Sequence, residues 1–471
     1  APPRLPPDHH RKESGMIPPL SRTTGHLPAA AIDRSVAVRA PRGAAVPKPP
    51  SPAIRPPSMI MAPIRHRAGG PTSWRRAACV LAMAALAGCG AGAEGRDADP
   101  APRAARVPGT GLTACFDDAA PMPCPARGAP YAGQDGSAPG PLPAFRDNGD
   151  GSVTDLNTGL TWTRALSSPA SWSDATAAAA SLRTGGHTDW RLPTIKELYT
   201  LMDFGRGYFS TNVGTSVPFL DTAVFDFAYS AGARYFDVQQ WSATAYVATT
   251  MNNDATVFGV NFADGRIKGY PRFQPGSGTG QPTRMHARYV RGAPYGLNAY
   301  TDQGNGTVSD AATGLVWQKT DDGVTRNWRA ALAYCDQLDL GGARDWRLPD
   351  AKELHTIVDY GRAPATSSSA AVAPPLQASK VESYFWTSTT ISDGPPDVRY
   401  GKAVYFAFGR ALGWMEMPPG SGRVDLIDVH GAGAQRADFK SGDPQQYPRG
   451  FGPQGDDVRI ANHVRCVRGG R

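Results

Sequence analysis

The chain has 471 residues, with 49 Lys and Arg against 41 Asp and Glu for a formal charge of +8; the length leaves room for about three domains. The excess is uneven: residues 1–88 hold 13 basic and 3 acidic side chains, which leaves 36 basic and 38 acidic in the remainder and a formal charge of −2 there. That balance excludes an inference to nucleic acid from net charge.

Residues 1–60 are crowded with Pro, Arg and Ala and show neither helical nor strand periodicity. They read as a disordered leader, or as sequence ahead of a true start at Met59 or Met61. Residues 61–89 have the pattern of a signal peptide, with Arg65, Arg67, Arg75 and Arg76 ahead of a small, apolar run from Ala77 to Gly88. That run is too short for a bilayer span, which takes about 20 residues. It closes on Leu86-Ala87-Gly88-Cys89, which resembles the bacterial lipoprotein box. The resemblance implies that Cys89 carries the lipid and that the membrane is a partner through this anchor. Gly90 after it, in place of Asp, implies an outer-membrane lipoprotein of the bacterial cell envelope.

Residues 90–110, rich in Gly, Ala, Pro and Asp, read as a flexible tether. Four cysteines follow, an even number that in an exported chain predicts two disulfides. Within 111–144, Cys115 and Cys124 flank turn-forming residues and suit a disulfide-closed hairpin, followed by Gly133-Gln134-Asp135-Gly136.

The rest of the chain is written twice. Asp189-Trp190-Arg191-Leu192-Pro193 recurs as Asp345-Trp346-Arg347-Leu348-Pro349, and the two copies register a repeat over 145–293 against another over 298–470. The separation is too long for a solenoid, whose units run roughly 20–50 residues, so two tandem globular domains are expected. Each opens on a Gly-rich turn and a Thr-Gly-Leu-x-Trp strand ending at Trp162 or Trp317, which predicts a hairpin with a buried Trp. Asp147, Asp150 and Asp155 superficially suit calcium, but they lack the spacing and distal Glu of a calcium loop, and the second copy has Gln303 and Asn305.

A first helix is expected to run to Leu182 or Leu338, N-capped by Ser171 or Asn327 and stopped by Gly-Gly. Thr194 with Glu197, and Asp350 with Glu353, have capping-box spacing at the start of a second helix. Strand-like segments with long loops follow, and each copy closes on Val-Arg, at Val290-Arg291 and Val467-Arg468. In register, Cys335 falls opposite Ala179 and Cys466 opposite Tyr289. Joint absence from one copy is what a bonded pair predicts, so Cys335 pairs with Cys466 and Cys115 with Cys124. Repeat 1 is then expected to hold its ends together by packing alone.

The hairpin string from Asp147 to Trp162, the Trp-led helix, the five-residue phrase with its Glu-Leu helix and the closing Val-Arg strand together resemble the Lcl C-terminal domain family, in two tandem copies. The resemblance implies an α+β fold of C-type lectin-like domains, each with an N-terminal hairpin, two helices and irregular antiparallel strands carrying long loops. It also implies a surface role in adhesion, with a glycan or another extracellular polymer as partner. An architectural envelope protein without a specific ligand is the alternative. Lectin-like folds also include formylglycine-generating oxidases, which use a reactive cysteine pair, but the only pair within a repeat here is assigned as structural. Neither metal-ligand spacing, a nucleophile elbow nor a phosphate loop is found, so no enzyme, metal or cofactor is expected. His187, His286, His355, His430 and His463 are isolated. Arg399, Lys402 and Arg410, with Arg423, Arg436 and Lys440, are the candidates for a basic ligand face. The phrase itself (Asp189, Trp190, Arg191, Pro193; Asp345, Trp346, Arg347, Pro349) reads as a structural corner.

Overall fold

Each repeat opens on a hairpin built around its Gly-rich turn. In the computed structural model, which describes residues 107–274, 280–417 and 420–470, Phe145–Asp147 and Ser152–Asp155 pair across the first turn, and Thr161–Thr163 joins them with Trp162 opposite Val153. Tyr300–Asp302, Thr307–Asp310 and Leu315–Gln318 repeat the pattern, with Trp317 opposite Val308. Both tryptophans are fully buried. The closing strands Val290–Arg291 and Val467–Gly469 each pair antiparallel with the Trp strand of their own copy. The two ends of a repeat therefore meet in one four-stranded sheet.

The helices are short. Trp172–Ala178 continues only as a 3-10 turn over Ala179–Ser181, and Trp328–Asp336 likewise stops before Leu338. Ser171 and Asn327 cap them through the backbone N–H of Asp174 and Ala330. Ile195–Tyr199 and Ala351–Thr356 both begin with a complete capping box.

The strands that follow correct the expectation of two separate domains. Gln240–Thr250, Asp254–Asn261 and Arg266–Pro271 come from repeat 1, and Tyr384–Ile391, Lys402–Ala407 and Gln435–Phe439 from repeat 2. All six form one antiparallel sheet, joined where Gln435 lies opposite Ile267. Three strands alone would leave an open edge, a template for further pairing; here each repeat covers the other's edge. Further bonds cross the seam, from Gly269 N–H to His430 O at 2.9 Å and from Met251 N–H to Asp428 O at 2.7 Å. One apolar cluster likewise contains Val153, Trp162 and Leu198 together with Trp317, Leu354 and Trp386. The described residues accordingly belong to a single compact unit.

Three features depart from the copy-by-copy register. Between Lys402–Ala407 and Gln435–Phe439, residues 408–434 carry an extra hairpin, Leu412–Glu416 paired with Val424–Asp428, where repeat 1 has only residues 262–265. The disulfides join Cys115 to Cys124 and Cys335 to Cys466. Where the second bridge lies, repeat 1 has Tyr289, whose phenol donates to Ala175 O on the first helix at 3.0 Å. Its ends are thus tied by a buried hydrogen bond as well as by packing, because the long side chain spans the gap that the sulfurs bridge.

Residues 107–110, expected at the end of the tether, are buried. They are drawn in because Gly109 O accepts from the buried Lys352 ammonium at 2.9 Å. The expected signal peptide, Cys89 and the tether up to residue 106 lie outside the described residues. Among the described residues no helix is long and apolar enough to cross a membrane.

Candidate functional site at the repeat junction

The repeated phrase works as a three-way brace. Arg191 forms a twofold ion pair with Glu197 at 2.6 Å, and Arg347 does the same with Glu353 at 2.5 Å, so the glutamate that closes the capping box also holds the arginine. Asp189 pairs with Arg291 at 2.8 Å and Asp345 with Arg468 at 2.7 Å, which fastens the phrase to the closing strand. Pro193 O accepts from Ala243 and Pro349 O from Ser388, both on the shared sheet. The indoles of Trp190 and Trp346 are buried and donate to Thr184 O and Leu340 O. The arginine, aspartate and indole groups of the phrase are thereby engaged in holding the helix, the closing strand and the shared sheet together.

What the brace positions is the helix after it. The lysine at the third place beyond each Pro, Lys196 or Lys352, crosses to the other repeat. Lys196 donates to Thr356 O at 2.7 Å, and Lys352 donates to Thr200 O at 2.8 Å. Each ammonium therefore caps the carboxyl end of its counterpart's helix, where orphan carbonyls and the helix dipole favour a cation. Burial pushes both amines down to about 8; Asp359 and Asp310 oppose this at Lys196, and Asp203 and Asp155 at Lys352. Between the helices remains a void of about 10 Å³ beside Tyr199 and His355, room for about one water. Burial and Lys196 hold the His355 imidazole well below its usual range, so it is neutral.

Outside this handshake the junction opens into a groove of about 480 Å³, within the roughly 300–1,000 Å³ usual for ligand sites. One wall comes from repeat 1 (Thr194, Lys196, Thr244), one from the connection between the repeats (Tyr295, Leu297) with the start of repeat 2 (Asn298, Tyr300), and one from the second helix region of repeat 2 (Ile357, Val358, Asp359, Tyr360). The connection is held by Gly296, whose carbonyl accepts from Lys196 at 3.1 Å. Its φ is 82°, and a Cβ there would stand 2.7 Å from Lys196 Cδ; only glycine permits this approach. Tyr360 is fixed by donating to Gly433 O at 2.9 Å. Leu297 is 70% exposed on the rim.

The candidate basic face does not form. Lys402 is 6% exposed and pairs with Asp393 at 3.0 Å; Arg436 is 4% exposed and pairs with Asp456; Lys440 is fully buried over the Trp328 ring. Lys402 lies in a strand buried on both faces, and Arg436 and Lys440 on the covered face of Gln435–Phe439 and at its end, so their charge is consumed internally. Arg399 stacks on Tyr208 and donates to Ser392 Oγ at 2.7 Å, while the exposed Arg410 and Arg423 pair with Glu382 and Asp425. Asp147 pairs with Arg164, and Asp150 and Asp155 accept from their own turns. Among the described residues no group of three or more His, Cys, Asp or Glu is placed to hold a metal. The groove residues Thr244, Tyr295, Tyr300 and Tyr360 were not singled out from the sequence. The one signal of their neighbourhood was the lysine kept at the same offset in both copies.

Residues 151–291 and 306–419 match the model of the Lcl C-terminal domain. The second match ends within the extra hairpin, before the strand Val467–Gly469 that closes repeat 2. Neither a curated protein nor a solved structure matches the chain. With two copies of the domain covering more than half its length, the chain belongs to the Lcl C-terminal domain family.

Proposed function

We propose that this is a surface-anchored lipoprotein whose two lectin-like repeats act as one binding body for a glycan or another extracellular polymer, in adhesion. The observation that carries the reading is the open groove of about 480 Å³, walled by three tyrosines and by main-chain and side-chain polar groups at the junction of the repeats. Aromatic rings offer broad apolar contact with a polar tip at low entropic cost, and a groove open along one side admits a chain in mid-length. The fused repeats present this groove once, so binding strength comes from one extended site and not from two independent domains. No catalytic step is assigned to it.

Titration of the full chain against immobilised neutral, carboxylated and sulfated oligosaccharides and polypeptides tests the reading. Saturable binding is expected, reduced about tenfold by Tyr300→Ala, the loss of one aromatic contact worth roughly 1.4 kcal/mol. Absence of any saturable ligand, or unchanged binding by the folded variant, would sink it. The anchor rests on Cys89, and palmitate labelling of the full-length chain in bacteria should disappear in Cys89→Ala; retained label would remove the lipoprotein assignment.

A further inference from the structure

Thr244 and Thr389 occupy the same place in the two repeats. Each hydroxyl accepts from the first N–H of the helix after the phrase, Ile195 and Ala351, both at 3.0 Å. In repeat 2 that hydroxyl also donates, to Asp135 Oδ2 at 2.7 Å, and Thr110 reaches the same oxygen at 2.6 Å. Asp135 is 1% exposed and belongs to the short turn Asp135–Ser137, packed so tightly that a Cβ on Gly136 would stand 2.1 Å from Ala114 O. On this side the junction is thus occupied by an acidic turn of the chain's own N-terminal segment. On the other side, the Thr244 hydroxyl lines the open groove, and among the described residues none accepts its proton.

The charged surroundings also correspond. Lys196, Arg191 and Glu197 stand where repeat 2 has Lys352, Arg347 and Glu353, and each lysine faces an aspartate of the opposite repeat, Asp359 at Lys196 and Asp203 at Lys352. The repeat 2 set accommodates Asp135, whose charge favours the protonated forms of both Arg347 and Lys352. The Arg347 side chain is 14% exposed, whereas Arg191 remains 35% exposed.

Resting on the reading of the groove as a binding site, we propose that its ligand is an acidic polypeptide turn of a partner protein, seated as Asp135–Ser137 is seated on repeat 2. The partner's aspartate accepts the Thr244 hydroxyl proton, and its turn packs against Tyr295 and Tyr300. The occupant seen at the corresponding place is itself polypeptide, which favours this partner over a uronic-acid chain of the same charge.

The probe is a fluorescein-labelled peptide with the sequence of residues 131–138, titrated against the full chain by anisotropy. Binding is expected to weaken at least tenfold when the peptide's aspartate is replaced by asparagine, since a hydrogen bond to an ionised acceptor is stronger than one to a neutral amide. Thr244→Val should weaken it similarly, Thr244→Ser should retain it, and Leu297→Asp on the exposed rim should weaken it most at low salt. The serine and rim variants keep the test valid if the valine variant unfolds. Equal binding of the asparagine peptide, or no peptide binding, overturns the proposal. Oligouronates binding through Thr244 in place of the peptide would overturn the polypeptide assignment while leaving the groove as a binding site.

Discussion

At the residue scale, Lys196 and Lys352 show what a shared side chain does when two copies face each other. Each is held by a backbone carbonyl of the opposite helix, and burial lowers both to about 8 from the usual 10.5. Unfolded, these amines keep their protons to about 10.5, so between the two values the unfolded chain binds more protons and stability rises with pH. Below about 8 both states are protonated and the contribution is flat. Each lysine adds up to about 1.4 kcal/mol per pH unit in that window. The midpoint of urea unfolding is therefore expected to climb from pH 8 to pH 10, with a shallower slope for Lys352→Met; an equal slope in the variant would refute the assignment. The window closes near pH 10, where the buried Tyr199 and Tyr360, whose phenols are pushed up by burial, begin to oppose it.

At the element scale, most of what forms was legible, because the signals are local. The capping boxes at Thr194 and Asp350, the caps Ser171 and Asn327, and the hairpins ending in Trp162 and Trp317 need only neighbours within a few residues. The cysteine pairing was legible by a different route, the joint absence of both residues from repeat 1. Closing a loop with a separation of 131 residues is worth about 5 kcal/mol in the chain-entropy model, an upper figure. The Tyr289 to Ala175 bond that takes its place was not legible, since a tyrosine carries no mark of its acceptor. The basic face failed for a related reason. Lys402 opens a strand of otherwise apolar residues, and Arg436 and Lys440 lie on the polar side of an alternating stretch whose polar side is the covered one, which the alternation by itself does not report.

At the scale of the whole molecule, the repeats are halves of one body. A fragment of residues 107–293 would expose the edge strand Arg266–Pro271 and strip Arg266 of Asp393, its buried partner at 2.5 Å. The open strand edge is a template for aggregation, and the apolar core shared with repeat 2 is lost with it. This fragment is expected to be unfolded or aggregated by circular dichroism and gel filtration while residues 107–470 fold; a cooperative, monomeric fragment would refute the fusion. By itself, the sequence determined the repeat register, the caps, the hairpins, both disulfides and the family, all of which follow from local chemistry or from comparing one copy with the other. Only the tertiary structure decided that the third strands meet edge to edge, that the N-terminal segment fills one side of the junction, and that the other side stays open. Those outcomes depend on which surfaces compete to be covered. That competition runs between residues far apart in the chain, where neither periodicity nor spacing reports it.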